Sequence, residues 1–548
     1  MQTFTPKVVT VLSEGYRLSD MRADAIAGLT VAIVALPLAM ALGIASGASP
    51  DKGLITSVVA GFLISALGGS RVQVGGPTGA FVVVIFNVIA KHGYDGLVLA
   101  TLLAGLILLI AGAFRLGKLI KFIPHPVVTG FTAGIAVIIA SSQVKDFLGL
   151  PITDVPAEFF PKWQAYLAAL DGTSMAALLI GAGSLALIIV LRKVAPRLPG
   201  FLIAVVVASA LVALFGLPVD TIGSRFPDIP AGLPAPSLPE FSLAKLQAVT
   251  PSAFTIAFLA GIEALLSAVV ADGMAGTRHR SNQELIGQGL ANIGSSLFGG
   301  LPATGAIART ATNIKAGAKS PFSGMFHALF LLLFILFAID LMAYVPMAAL
   351  AAILFMVAWG MSEYERFLSL LRMPNDDRAV LLVTFGLTVL VDLTVAIGVG
   401  VTLASLLFMA RMSESVHVED NAAIRPDPDL DEEDLKQRDV LPDGVEVFRI
   451  NGPFFFGVAG ELLDTMRRVG QSPRAVVLRM RLVPYLDASG ATTVMEFVKQ
   501  AEMAGTRVIM SGVQPQPATM LARAGLGPDS GRIEYAANYD AAIRLTLQ

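Results

Sequence analysis

Glu263 and Arg309 are the two charged residues of this chain that lie where charge is hardest to accommodate. Glu263 falls inside the apolar run 254–270, where an ionised carboxylate is costly and usually functional. Ser267 follows one helical turn later on the same face. Asp272, nine residues on, projects from the other face, at a helix end. Arg309 lies four residues past Gly305, about 6 Å further along a helix axis. A guanidinium holds a carboxylate through two parallel hydrogen bonds. Arg309 is therefore a candidate anion ligand, and Glu263 with Ser267 a candidate ion-coupling pair. In the alternative readings Arg309 compensates a buried acid or snorkels, and the two charges form a permanent pair.

Two short elements must position these groups. Gly75-Gly76-Pro77-Thr78-Gly79-Ala80 and Leu301-Pro302-Ala303-Thr304-Gly305-Ala306 carry Pro, Thr, Gly and Ala in the same order. Each follows a Gly-Gly pair, and each opens a short apolar segment, 81–90 and 306–314. Paired, Gly/Pro-interrupted segments of this kind mark the binding site of a secondary transporter. A helix that begins inside a membrane has backbone N–H groups without intrahelical acceptors and a dipole of about half a positive charge there. Two such ends face to face make an anion site, with Thr78, Gly79, Ala80, Thr304, Gly305 and Ala306 as its expected lining. The plainer alternative is two kinked helices.

Composition agrees with a membrane location. Of 548 residues 55% are hydrophobic and 15% charged, against roughly 25% charged in soluble domains, and the mean hydropathy is +0.72. Apolar runs such as 25–44, 97–114, 176–191 and 326–338 approach the length that spans a bilayer. The net charge of −2 and the lack of a basic block give no sign of nucleic acid. There is no cysteine, and the five histidines are dispersed without ligand spacing, as loop or helix-end residues. Neither a metal nor a cofactor is expected. No paired carboxylates, nucleophile elbow or phosphate loop point to an enzyme.

Four regions are expected: a cytoplasmic segment 1–22, a transmembrane domain 23–411, an acidic linker 412–444 containing Asp427–Asp434, and a soluble α/β domain 445–548. The first apolar run lacks a following cleavage site and reads as a retained helix. A Pro-rich break at 216–251 divides the membrane region into halves of about 23–216 and 251–411. Basic clusters at Arg17/Arg22, Arg115/Lys118/Lys121, Arg192/Lys193/Arg197, Arg278/Arg280, Lys315/Lys319, Arg366/Arg372/Arg378 and Arg411 alternate with neutral or acidic loops at Asp51, Asp95, 154–162, 228–240, Asp340 and Asp392. The positive-inside rule accommodates this alternation only if both short segments cross. The count is then fourteen, both termini are cytoplasmic, and the second set of seven is inverted.

Several stretches resemble one known family. Pro50-Asp51-Lys52-Gly53-Leu54-Ile55-Thr56-Ser57 with Gly68-Gly69-Ser70-Arg71 is similar to the sulfate permease (SulP) pattern, with Lys52 and Ile55 where Tyr is usual. So are Gly261-Ile262-Glu263, Asp272-Gly273-Met274, Asn282–Gly289 and Phe298-Gly299-Gly300. The loop Asp487-Ala488-Ser489-Gly490 after the strand 475–480 resembles a STAS domain, and Gly452–Gly457 a turn into its sheet with core aromatics. The resemblance implies a polytopic α-helical fold with fourteen transmembrane segments in a seven-plus-seven inverted repeat, core and gate domains, a cytoplasmic α/β STAS domain and a homodimer. It implies an acid at Glu263 linked to proton or sodium coupling, and a basic residue at the Arg309 position. Ala35, before Leu36-Pro37, stands where many eukaryotic relatives have Gln, giving a less polar wall or ordinary packing. Ser489 occupies a position phosphorylated in some soluble STAS regulators, or it caps its helix.

The runs 307–313 and 315–318, with 39–42 and 356–359, look most like the bacterial branch that takes up four-carbon dicarboxylates. The expectation is therefore a multi-pass protein of the bacterial inner membrane, embedded in lipid, taking up succinate or fumarate with protons by alternating access. Sulfate, bicarbonate or chloride is the alternative on the same scaffold. A membrane-anchored STAS signalling protein, with a cytoplasmic partner and no flux, is the rival from another class.

Overall fold

The computed structural model describes residues 4–118, 124–153, 155–156, 158–196, 198–391, 393–414, 417–420, 441–455 and 473–548. Lys121, Asp154, Arg197, Asp392, the acidic run Asp427–Asp434, Phe456 and Gly457 lie outside the described residues. The chain divides after Ala404 into two units.

In the first unit a short helix α1 (Lys7–Glu14) precedes α2 (Leu18–Ala45) and α3 (Pro50–Leu67). The two-residue strand β1 (Gly75–Gly76) leads into α4 (Gly79–Ala113), followed by α5 (His125–Leu148), α6 (Phe159–Ala168), α7 (Met175–Val194) and α8 (Gly200–Phe215). After one turn of helix, α9 (Ile222–Arg225), come α10 (Leu243–Ala275), α11 (Ser281–Leu297), the strand β2 (Thr304–Gly305) and α12 (Ile307–Lys315). The unit continues through α13 (Phe322–Phe337), α14 (Met347–Met361), α15 (Tyr364–Leu370) and α16 (Asn375–Leu390) into α17 (Leu393–Glu414). Eight described helical spans are long and apolar enough to cross a membrane, by length and composition.

Gly93, at φ 70°, breaks α4 into two rods. Seven rods then stand in the first repeat: α2, α3, the halves of α4, α5, α7 and α8. Seven stand in the second: α10 to α14, α16 and α17. The packing has matching symmetry. α4 packs on α10 and α11, as α13 packs on α2 and α3. These helices form one bundle, while α5, α7, α8, α14 and α16 pack on one another as a second; the two meet where α2 touches α8 and α14 and where α4 touches α5. Glycines allow α4 and α11 to cross closely: a Cβ on Gly105 would lie 2.7 Å from the carbonyl oxygen of Gly289, and the reverse holds equally.

Two expectations about boundaries change. The second repeat starts at Leu243, because Pro251 sits inside α10 and does not precede it. The span 412–444 is not all linker, since β3 (His417–Asp420) pairs antiparallel with β4 (Val445–Asn451). Four residues with a single apolar side chain are too short to show a strand period.

The second unit holds a five-stranded sheet of order β3-β4-β5-β6-β7, with β5 (Ala475–Arg479), β6 (Arg507–Ser511) and β7 (Glu534–Ala536). All pairings but the first are parallel. Crossover helices include α18 (Ala488–Met503), with α19 (Pro515–Arg523) and α20 (Tyr539–Thr546) also flanking the sheet. Phe454 is fully buried in the core beside Phe448 and Phe497, as expected, and Phe455 packs against it. The cap of α18 is not Ser489. Asp487 Oδ1 accepts the Gly490 N–H at 2.7 Å, which leaves Ser489 exposed in the first turn.

Candidate anion site

The centre of the first unit is the pairing of β1 with β2. Gly75 lies opposite Gly305 and Gly76 opposite Thr304, antiparallel. Each strand runs straight into a helix, so α4 and α12 start from one shared point. The first N–H groups of each helix have no acceptor within it. Both ends bring partial positive charge to the same cavity, which is lined by Pro77, Thr78, Gly79 and Ala80 from one repeat and by Gly305, Ala306, Ile307, Ala308 and Arg309 from the other.

The two motifs are not in structural register. α4 begins immediately after Thr78, whereas α12 begins two residues after Gly305. Thr304 is therefore a strand residue. It is fully buried, and its hydroxyl donates to the Ala260 carbonyl at 2.8 Å, so it does not line the cavity as expected. Sequence identity matched Thr78 to Thr304, but hydrogen-bonded pairing matches Thr304 to Gly76.

Buried polar side chains hold this junction. Glu284 Oε2 accepts the N–H groups of Gly69 and Ser70 at 2.8 and 3.0 Å, and its Oε1 accepts from Gln73 and Gln288 at 3.1 and 2.8 Å. Asn292 accepts the Ala303 N–H and donates to its carbonyl, each at 2.9 Å. Thr310 accepts the Val74 N–H at 3.1 Å, and Asn313 donates to the Val72 carbonyl at 2.8 Å. Asp24 accepts the N–H groups of Lys319 and Ser320 at the far end of α12. The sequence reading missed these residues. Its available signal was the i, i+4, i+8 spacing of Glu284, Gln288 and Asn292, a polar stripe on one face of α11.

Glu263 and Thr78 join the two repeats directly. The Thr78 hydroxyl donates to Glu263 Oε2 at 2.9 Å, and both side chains line the cavity. Arg309 is nearly fully buried; its Nη2 donates to the Pro77 carbonyl at 3.1 Å, while Nε and Nη1 have no partner. Glu263 and Arg309 form no ion pair among the described residues, which argues against a permanent pair. Ser267 is buried beside Thr310, at 3.3 Å between hydroxyls, and does not line the cavity. Ala35 is buried and faces away from it; Val34, Leu38 and Leu42 form that wall. Asp272 caps its helix end, accepting from the His279 N–H at 2.8 Å and from Thr277. His327, expected at a loop or helix end, is fully buried within α13.

The cavity measures about 580 Å³. Its polar wall comes from the helix bundle that holds Glu263 and Arg309. Its apolar wall includes Ile188, Phe201, Met356 and Val357 from the second bundle. From the helix ends it extends to Arg192 and Glu363.

The profile of the sulfate permease family matches residues 21–384, and that of the STAS domain residues 439–536. This chain belongs to the sulfate permease family. As a sulfate permease family protein it is an anion transporter and a multi-pass membrane protein with a C-terminal STAS domain. It is 40% identical over 534 residues to the putative sulfate transporter YvdB of Bacillus subtilis, covering 96% of this chain and 98% of that one. It is 32% identical over 495 residues to the bicarbonate transporter BicA of Picosynechococcus, covering 88% and 87%. Among solved structures, the transmembrane domain of a cyanobacterial bicarbonate transporter BicA aligns with a TM-score of 0.62 at 32% identity, over 71% of this chain and 98% of that domain. The murine Solute Carrier 26 family member A9 anion transporter aligns with a TM-score of 0.86 at 18% identity, over 99% and 94%, and so shares the fold. The sulfate permease fold thus supplies the frame in which the two half-helices meet.

Proposed function

We propose that this chain carries out cation-coupled uptake of a small anion, bound between the N-terminal ends of α4 and α12. The observation that carries this reading is the Thr78–Glu263 hydrogen bond. It ties the coupling carboxylate to the end of the helix that would hold the anion. The helix ends contribute about one positive charge together and Arg309 another, against one negative charge on Glu263. A proton or sodium ion on Glu263 leaves the site about one unit more positive, suited to one more negative charge on the substrate. Anion and cation then bind cooperatively, as symport requires. The proton is the favoured cation, because a single half-buried carboxylate lining the cavity can take it up without further oxygen ligands.

A small inorganic oxyanion, bicarbonate or sulfate, is the substrate class that full-length relatives suggest by name. The second reading is a four-carbon dicarboxylate such as succinate or fumarate. The apolar wall of Leu38, Leu42, Phe201 and Val357 opposite the helix ends favours it, because a carbon chain can lie there. Positive-inside charges support a cytoplasmic side for Arg192 and both termini in a bacterial inner membrane. The cavity, reaching Arg192, is then an inward-open one. Alternating access would move the helix ends past α5 and α14, and a homodimer suits the fold.

Uptake of labelled bicarbonate, sulfate and succinate into proteoliposomes, with and without a proton or sodium gradient, tests this. Gradient-driven accumulation of one of them is expected. Absence of flux for all three would contradict it and favour a signalling role for the STAS domain.

A further inference from the structure

Lys162 is buried, at 5% exposure, with no carboxylate beside it among the described residues. It belongs to α6, an amphipathic helix between two membrane-spanning ones, whose Phe160 and Leu167 are exposed. Its Nζ donates to the Ser142 hydroxyl on α5 at 3.2 Å and lies 5.9 Å from the centre of the Phe86 ring on α4. No ion pair of Lys162 exists among the described residues. Neighbouring Trp163 donates its indole N–H to Ser141 at 3.3 Å, which holds α6 against α5. Burying an ammonium with only a hydroxyl and a ring face is expensive, and an ionisable residue kept at such a cost in a membrane protein marks a functional position. Desolvation by burial lowers its pKa from the ordinary lysine value.

Its position says what that is. Phe86 lies on the first bundle and Ser142 on the second, so Lys162 sits across their seam. Phe86 is two turns past Gly79 along α4. At Gly79 the seam is shut by Ile139 of α5 and by Val357 and Met361 of α14, all within 3.5 Å of where a Cβ would be. The cavity extends from these helix ends toward Arg192, and Lys162 is absent from its lining. Lys162 thus lies on the closed side of the site.

We propose that Lys162 is an anion-attracting residue of the outer mouth, packed into the seam in this state and released to solvent when α4 separates from α5. There it would draw any small anion, inorganic oxyanion or carboxylate, toward the helix ends. This inference rests on the alternating-access reading above. In the state described here the same ammonium fills the seam and keeps water from the site.

The test uses the full chain in right-side-out and inside-out membrane vesicles, with bicarbonate, sulfate and succinate as probes. Lys162→Met, which keeps the length but not the charge, should raise KM from the outside about three- to tenfold and flatten its dependence on ionic strength, as for lost electrostatic steering. KM from the inside should stay within about twofold, and Lys162→Arg should keep the wild-type outside KM. An unchanged outside KM in Lys162→Met, or equal shifts on both sides, would overturn the proposal. Because the chain has no cysteine, Lys162→Cys provides a single thiol for an impermeant maleimide. Labelling from outside should change at least about threefold between anion supplied outside and anion supplied inside, as populations shift. No labelling, or labelling that ignores the anions, would overturn the proposal whether or not flux is seen. Absence of wild-type flux with anion-dependent labelling would instead count against the transport reading alone.

Discussion

The Thr78 hydroxyl donates to Glu263 Oε2 at 2.9 Å, linking the N-cap residue of α4 in one repeat to α10 in the other. The bond places a carboxylate of one repeat at the helix end contributed by the other, and both groups line the cavity.

Arg309 should bear on anion affinity more than on folding. Two of its guanidinium nitrogens are unpaired, and the third reaches the Pro77 carbonyl across the repeats. Arg309→Ala is expected to raise KM about ten- to a hundredfold, the worth of a charge-assisted hydrogen bond of about 1.5–3 kcal/mol. Arg309→Lys should fall between the two. Anion-titrated transport rates in proteoliposomes check this, with protein yield as the control.

Gly76 leaves the space in which the Arg309 guanidinium lies. A Cβ there would stand 2.2 Å from Nη1, and the backbone has φ 150°. Gly76→Ala should therefore displace Arg309 and reproduce much of the Arg309→Ala defect. Combining both substitutions should add less than the product of the single effects, since neighbours are not additive. A double-mutant cycle on KM measures it.

Glu284 should be structural. Its carboxylate accepts three N–H groups, from Gly69, Ser70 and Gln73, that tie α11 to the loop before β1, and a fourth from Gln288 of α11 itself. Glu284→Ala leaves buried donors unmet, at about 1–3 kcal/mol for an unsatisfied group, and should lower the thermal midpoint of the detergent-solubilised protein. Glu284→Gln should be milder, keeping one acceptor oxygen. Thermal unfolding followed by tryptophan fluorescence distinguishes them.

Much of this arrangement is legible in the sequence. Apolar runs and alternating loop charges implied the rods, and the two Gly/Pro motifs implied where they break, because glycine and proline act locally. Register across the repeats was not legible. Thr304 matches Thr78 as a letter, yet hydrogen bonding between distant strands sets it opposite Gly76. Ala35 failed for a related reason, since a helix apolar on all sides does not reveal which face meets the cavity. Lys162 gave no signal at all: a lysine after Phe-Phe-Pro reads as a loop residue until α5 and α4 are seen to close over it.

On the proposed reading, Glu263 couples a cation to the anion held at the helix ends. Glu263→Gln keeps an oxygen for the Thr78 hydroxyl but cannot take up a proton or a charge. The direct measurement is uptake of labelled anion into proteoliposomes with an imposed inward proton or sodium gradient, wild type beside Glu263→Gln. Gradient-driven accumulation is expected of wild type and, in the variant, anion exchange that the gradient no longer drives. Accumulation by Glu263→Gln as steep as by wild type would contradict it.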